Sequence, residues 1–295
     1  MINFKKIQWG LLASALMVLP ACGNDDDDQP ASGGDVSGQK LMSTSYYGTT
    51  LSSYKYDSKG RLTHFQFNDA DEDFFEAYLT IDISYSPLEM KIAYPQDGEE
   101  TVWSNIVTNS AGYITSAKVT EKFYGNTYNG SFSIKYDSNN RMTSITSEDG
   151  TSTLKWNGSK MEQFYDGDGY TENLTYSTTE NKTGNVSTSW GGMALYWLTG
   201  LFGEVPGYFP SKIQSIDYNN DVSNVILGYK LNDNGSIAKE QITSYEGDTN
   251  EPYTLVVDYN YIGGRASDSD ERMSKGESSV KFKKPHKMFG LFHRR

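Results

Sequence analysis

The sequence predicts an all-β protein: an antiparallel meander of repeated hairpins curved into a half-barrel or barrel, broken by one short apolar helical insertion at about 191–203. Three observations carry this expectation. Aromatic residues abound, with 22 Tyr, 13 Phe and 5 Trp in 295 residues, while helix-forming runs of Ala, Leu and Glu are sparse, a balance that favours strands. Several segments alternate apolar and polar residues with a period of two. Polar turns built from Asp or Asn with Gly or Asn separate those segments.

The chain opens with Lys5 and Lys6 and continues into IQWGLLASALMVLPA, ending at the small Ala21. A basic start followed by a short apolar stretch and a small residue is an export signal over 1–21. It falls short of the roughly 20 apolar residues that a permanent spanning helix needs. Cys22 is the only cysteine, so an internal disulfide is excluded. Leu19-Pro20-Ala21-Cys22 resembles a bacterial lipobox. The resemblance implies cleavage before Cys22 and a lipid on its sulfur, the alternative being an ordinary secretory signal with an incidental cysteine. Residues 22–38 form an acidic, Gly/Ser-containing linker that stays solvated. Its run Asp25, Asp26, Asp27 and Asp28 resembles the surface-export signal of Bacteroidota lipoproteins, which implies an outer-membrane protein, lipid-anchored and facing the cell exterior.

The formal net charge is −12. The tail KFKKPHKMFGLFHRR holds six Lys/Arg and no acid, so the body before it is more acidic still. Such a body repels nucleic acid, and no nucleic-acid partner is expected.

Within a single domain over 39–265, YLTIDISY places Leu79, Ile81, Ile83 and Tyr85 on one face. SFSIKY, VILGYKL and YTLVVDYNY alternate in the same way, as strands with one buried and one polar face do. Between strands the turns recur: SYKYDSKGRLTHF, NIVTNSAGYITSA, SIKYDSNNRMTSI and LGYKLNDNGSIAKEQI. Gly60, Gly112, Asn140 and Gly235 occupy equivalent places, where the backbone needs the positive φ that Gly and Asn tolerate. The form Tyr56-Asp57 to Gly60-Arg61-Leu62 resembles the YD repeats of large β-shell proteins, an architectural device.

The insertion SWGGMALYWLTGLFGEVPGYFPSK concentrates Met193, Tyr196, Trp197, Leu198, Leu201 and Phe202, so a helix here is apolar nearly all round and buried. Gly203, Pro206 and Pro210 are its stop signals. Two readings stand open. The segment is a plug in the concave face of the sheet, or it is the wall of a ligand pocket with Trp190, Trp197, Tyr208 and Phe209 as stacking surfaces.

Together, the lipobox, acidic run, Tyr-Asp hairpins and LTGLFGEVPGYFPSKI make residues 40–265 similar to the Bacteroidota lipoproteins grouped as a domain of unknown function with a porin-like fold. That resemblance implies the fold and carries over no activity or site residues. A membrane-spanning barrel shows an outward apolar band, whereas one face of these strands carries Lys, Asp, Ser, Thr and Asn, which favours a curved sheet or barrel standing in water.

Chemistry-bearing motifs are missing: no phosphate loop, no His-Glu-x-x-His, no Cys-x-x-Cys and no Gly-x-Ser-x-Gly. His64 is the only histidine before the tail. Neither catalytic residues nor a cofactor or metal are therefore expected. DADED at Asp69–Asp73 and DGDG at Asp166–Gly169 have alternating carboxylates, yet neither completes a calcium loop. The expectation is non-catalytic binding of an extracellular ligand, a glycan in the first place, or of an envelope protein. The alternatives are a glycan-acting hydrolase using two carboxylates, with Glu99, Glu100, Glu162 and Asp166 as candidates, and a structural accessory of an envelope complex. The tail, 266–295, is polar and then basic.

Overall fold

Period-two alternation dictates strands, and their short turns dictate hairpins joined in sequence order. A computed structural model describes residues 40–46, 49–68, 77–95, 97–123, 125–245 and 252–262. The strands are β1 Leu41–Tyr46, β2 Thr49–Tyr56, β3 Leu62–Asn68, β4 Ala77–Tyr85, β5 Leu88–Tyr94, β6 Glu99–Thr108, β7 Ile114–Phe123 and β8 Asn126–Tyr136. They continue as β9 Met142–Ser147, β10 Gly150–Asn157, β11 Lys160–Tyr165, β12 Thr171–Glu180, β13 Tyr208–Ile216, β14 Val222–Leu231, β15 Ile237–Tyr245 and β16 Tyr253–Tyr261. Every strand pairs antiparallel with its sequence neighbours, and β1 pairs with β16, so the meander closes into a sixteen-stranded barrel. The signal, Cys22, Asp25–Asp28, Asp69–Asp73 and the basic tail lie outside the described residues.

The apolar phase of each strand faces inward. Leu79, Ile81 and Ile83 of β4 are buried while Asp82 and Ser84 are exposed, and on β8 Phe132 and Ile134 are buried between exposed Ser131, Ser133 and Lys135. Outside, charges pair across strands: Lys91 and Lys122 both bind Glu100, His64 Nδ1 lies 2.6 Å from Asp82, and Lys239 binds Asp258. This is the inverse of a membrane barrel, whose lipid-facing band tolerates no such charges.

Sixteen strands enclose more space than their own side chains fill. The connection from β12 to β13 occupies it, through a 3₁₀ turn at Thr188–Met193 and then helix α1, Ala194–Leu198, all five residues of which are buried. The helical part is shorter than the apolar run implied. It ends at Leu198, with Gly200 at φ 68°, so Gly203 and Pro206 act after it and Pro210 belongs to β13. Aromatic contacts lock this plug to the wall: Trp103 meets Phe132, Tyr196 and Phe202 at 4.9, 6.1 and 5.7 Å between ring centroids, and Trp197 meets Trp156 edge-on at 6.2 Å.

The repeated turns explain the Tyr-Asp pattern. Gly60, Gly112, Asn140 and Gly235 all have positive φ, as the repeat requires, and Asn220 joins them. In the turn after β8, Asp137 Oδ1 accepts the backbone N–H of Asn139 and Arg141 at 2.8 and 3.0 Å, and Oδ2 accepts Arg141 Nε at 2.7 Å. Asp57 and Asp217 cap their turns likewise. The preceding aromatic ties the hairpin's base: Tyr56, Tyr85, Tyr136, Trp156, Tyr176 and Tyr261 each donate to the carbonyl of the first residue of the strand before, or in one case, Tyr176, of its second, at 2.6–3.0 Å. Those acceptors, from Leu41 to Ile237, are buried. Six of the eight even-numbered strands, all but β6 and β14, thus carry a ring that seals the rim.

Asp137→Ala removes three hydrogen bonds from one turn, so urea denaturation of the variant is expected to show a loss of about 1–2 kcal/mol, whereas Lys135→Ala on the outer wall changes stability by less than about 0.5 kcal/mol. Equal midpoints for Asp137→Ala and the parent would refute the capping role.

Candidate functional site

Two carboxylates on the apolar phase of their strands reach inward to hold the plug. Glu172, in phase with Leu174 and Tyr176 on β12, accepts the Gly192 N–H at 2.9 and 3.0 Å and the Tyr170 hydroxyl at 2.6 Å. The approach is so close that a Cβ at Gly191, where φ is +78°, would lie 2.4 Å from the Glu172 carboxylate, so only glycine fits. Glu240, in phase with Ile242 on β15, accepts the hydroxyls of Ser187, Ser189 and Tyr259, each at 2.5 Å. Tyr229 also hydrogen-bonds to Glu240 and receives Trp190 Nε1 at 2.8 Å. Burial pushes both carboxyls above the usual carboxylate range, against the pull of these donors. Fully enclosed, they are tethers.

The four proposed stacking residues are divided by the barrel. Trp190, Trp197 and Phe209 are 0, 2 and 0 % exposed, and Trp190 packs edge-on against Phe209 at 6.0 Å. None of these three offers a ring face to solvent. Tyr208 is half-buried, at the start of β13, opposite Glu180 in the register. It lines a rim cleft of about 470 Å³ with Thr179, Glu180, Lys182, Asp233 and Asn234. Lys160 Nζ sits 4.4 Å from the Tyr208 ring centroid, a cation–π contact that orients the ring. The cleft lies between the end of β12 and the β14–β15 turn, on the rim where Ile262 N–H bonds the Lys40 carbonyl at 2.7 Å. A half-buried tyrosine bordered by carboxylates, an amide and hydroxyls can stack against the C–H face of a polar ligand and bond its hydroxyls.

Of the carboxylates named for hydrolysis, Glu99 starts β6 opposite Tyr94, and the other three are occupied elsewhere. Glu100 binds two lysines on the outer wall, and Glu162 accepts Asn157 Nδ2 at 2.7 Å. Asp166 is buried, its Oδ1 taking the N–H groups of Asp168, Gly169 and Tyr170 and its Oδ2 the Tyr218 hydroxyl at 2.6 Å. The DGDG segment is thus a capped turn. Sequence reasoning missed Glu172 and Glu240 and, in the cleft, Glu180 and Asp233. The interior pair had a readable signal, a charge standing on the apolar phase of an alternating strand.

Glu121 of β7 shows the same signal, being 1 % exposed. Its carboxylate oxygens have no hydrogen-bond partner among the described residues, and it lines a small cavity of about 30 Å³ with Trp103 and Tyr196. Burial, with the nearby Asp149 charge, pushes its pKa from the ordinary 4.5 up to about 7. Below the ordinary value this carboxyl is neutral whether the chain is folded or not and carries no ionisation penalty. Between that value and about 7 the unfolded chain ionises first, so folding stability falls as pH rises and then levels off. Glu121→Gln is expected to remove this dependence and gain about 1–3 kcal/mol over the parent at pH 8 relative to pH 4, read from denaturant melts at both pH values. A constant difference between the two proteins would contradict the assignment.

No protein-family model and no curated protein matches the chain. Among solved structures, it is similar to a porin-like protein from Bacteroides uniformis ATCC 8492, at 16 % identity and a TM-score of 0.50, over 85 % of this chain and 98 % of that one. A second, a porin-like protein from Bacteroides vulgatus ATCC 8482, aligns at 12 % identity and a TM-score of 0.44 over 76 % and 98 %. The first likeness establishes a porin-like barrel fold.

Proposed function

We propose that this protein is a lipid-anchored outer-membrane protein facing the cell exterior, whose plugged barrel binds an extracellular glycan without chemistry. The observation that carries the reading is the rim cleft around Tyr208, an open concavity of about 470 Å³ on a barrel whose interior is otherwise packed. A lumen filled by aromatic side chains and hydrogen-bonded glutamates supports capture at the surface over passage through the middle.

Glu180 and Asp233 share the cleft, which keeps a glycan hydrolase as the second reading. Incubating the chain with a ligand glycan decides between them: unchanged polymer is expected, and new reducing ends abolished by Asp233→Asn would favour the hydrolase. For binding, a glycan array probed with the mature chain is expected to show at least one sugar whose signal falls by about tenfold in Tyr208→Ala, and Trp197→Ala is expected to act on stability, at about 3–5 kcal/mol. Arrays empty for the parent would reject the glycan.

The anchor has its own test. Cys22→Ala is expected to leave the protein without lipid, and replacing Asp25–Asp28 with Ala to leave it lipidated but shielded from protease added to intact cells. Undiminished cleavage of the second variant would refute the export role.

A further inference from the structure

The barrel's exterior changes character around its circumference. On β3–β7 the outward side chains meet as ions, with His64 facing Asp82 and Glu100 between Lys91 and Lys122. Across β11–β15 one outward row meets as amides. Gln163, Asn173, Gln214, Asn224 and Tyr245 stand directly opposite one another from strand to strand. Gln163 Nε2 donates to Asn173 Oδ1 at 2.9 Å, and Gln214 Nε2 to Asn224 Oδ1 at 3.4 Å. Of the two neighbouring outward rows, Tyr165, Thr171, Ile216 and Val222 carry no charge, and Thr175, Lys212, Ile226 and Thr243 hold one cation and no carboxylate. Tyr165, Tyr245 and Val222 are 37, 42 and 48 % exposed, on a chain of net charge −12.

The row is straight because register, not loop conformation, sets it. With strands about 4.8 Å apart, it spans about 19 Å. Within each amide pair one N–H···O bond holds both side chains, so little rotamer freedom is left to lose on binding. The Gln Oε1 acceptor and the Asn Nδ2 donor of each pair remain for a ligand. Hydroxyl groups, which donate and accept at once, match this alternation without charge, and the exposed tyrosine rings at either side suit the C–H faces of sugars. A polyanion would be repelled by the acidic body, and a cationic partner finds no carboxylate in either row.

We propose that the outer face of β11–β15 binds an extended, uncharged polysaccharide laid across the strands along the amide row. This deepens the glycan reading with a contact surface separate from the rim cleft. Affinity electrophoresis tests it, with the mature chain in mild detergent run through gels containing xyloglucan, galactomannan or hydroxyethyl cellulose, and polygalacturonate as the charged comparison. At least one neutral polymer is expected to retard the parent and polygalacturonate is not. Asn173→Asp combined with Gln214→Glu, which puts charge into the row, is expected to weaken that retardation by about tenfold or more. Tyr245→Ala, a single exposed substitution that leaves both pairs intact, should weaken it less, with thermal unfolding unchanged. Tyr208→Ala should retain it. Retardation lost only in Tyr208→Ala would uphold the cleft and overturn the amide row. The row is equally overturned if both row variants migrate like the parent, if polygalacturonate retards the chain as strongly, or if no neutral polymer retards it.

Discussion

A sixteen-stranded circumference has a lumen that must be either wet or filled, and this chain fills it. Everything else follows from that constraint. The wall presents Leu, Ile, Phe and Trp inward, which requires a dry interior. A dry interior of this width requires a segment from the chain itself, and residues 181–207 supply it between β12 and β13. Glu172 and Glu240 fix the segment's position, because a buried carboxylate without its donors would be costly and its donors all lie on the plug or the neighbouring wall. At the rim the strap is stitched to the turns, with Ile114 N–H bonding the Leu201 carbonyl and Gly207 N–H the Ser159 carbonyl, both at 2.8 Å.

This distribution of polarity separates fold from function. The barrel is similar in fold to a porin-like protein, yet its apolar side faces inward and its ion pairs face outward. Glu172 and Glu240 are committed to the plug and its surroundings, so the proposed recognition falls to Tyr208 and the cleft carboxylates at the rim and to the amide row on the outer wall.

Strands and turns were legible because their signals are local. Period-two alternation locates the walls, and positive φ at Gly60, Gly112, Asn140 and Gly235 follows from residue chemistry alone. Closure was not legible, since pairing of β1 with β16 depends on twist and stagger summed over the whole sheet. The plug was visible as an apolar run without strand periodicity, although its helix proved to be five residues. What the sequence could not separate were the aromatics within that run: Trp190, Trp197 and Phe209 went inside and Tyr208 to the rim, a difference set by which residues fall beyond the barrel's edge. The amide row was hidden for another reason. Gln163, Asn173, Gln214 and Asn224 lie on four different strands, and only the register of three strand pairs aligns them.

A barrel with ion pairs outside and a plugged apolar core is expected to stand in water. Expression from residue 23, without the signal and Cys22, followed by purification without detergent and addition to a planar lipid bilayer, tests it most directly. A protein soluble without detergent that produces no conductance steps is expected. A chain that demands detergent and opens stable ion-conducting steps in the bilayer would contradict it.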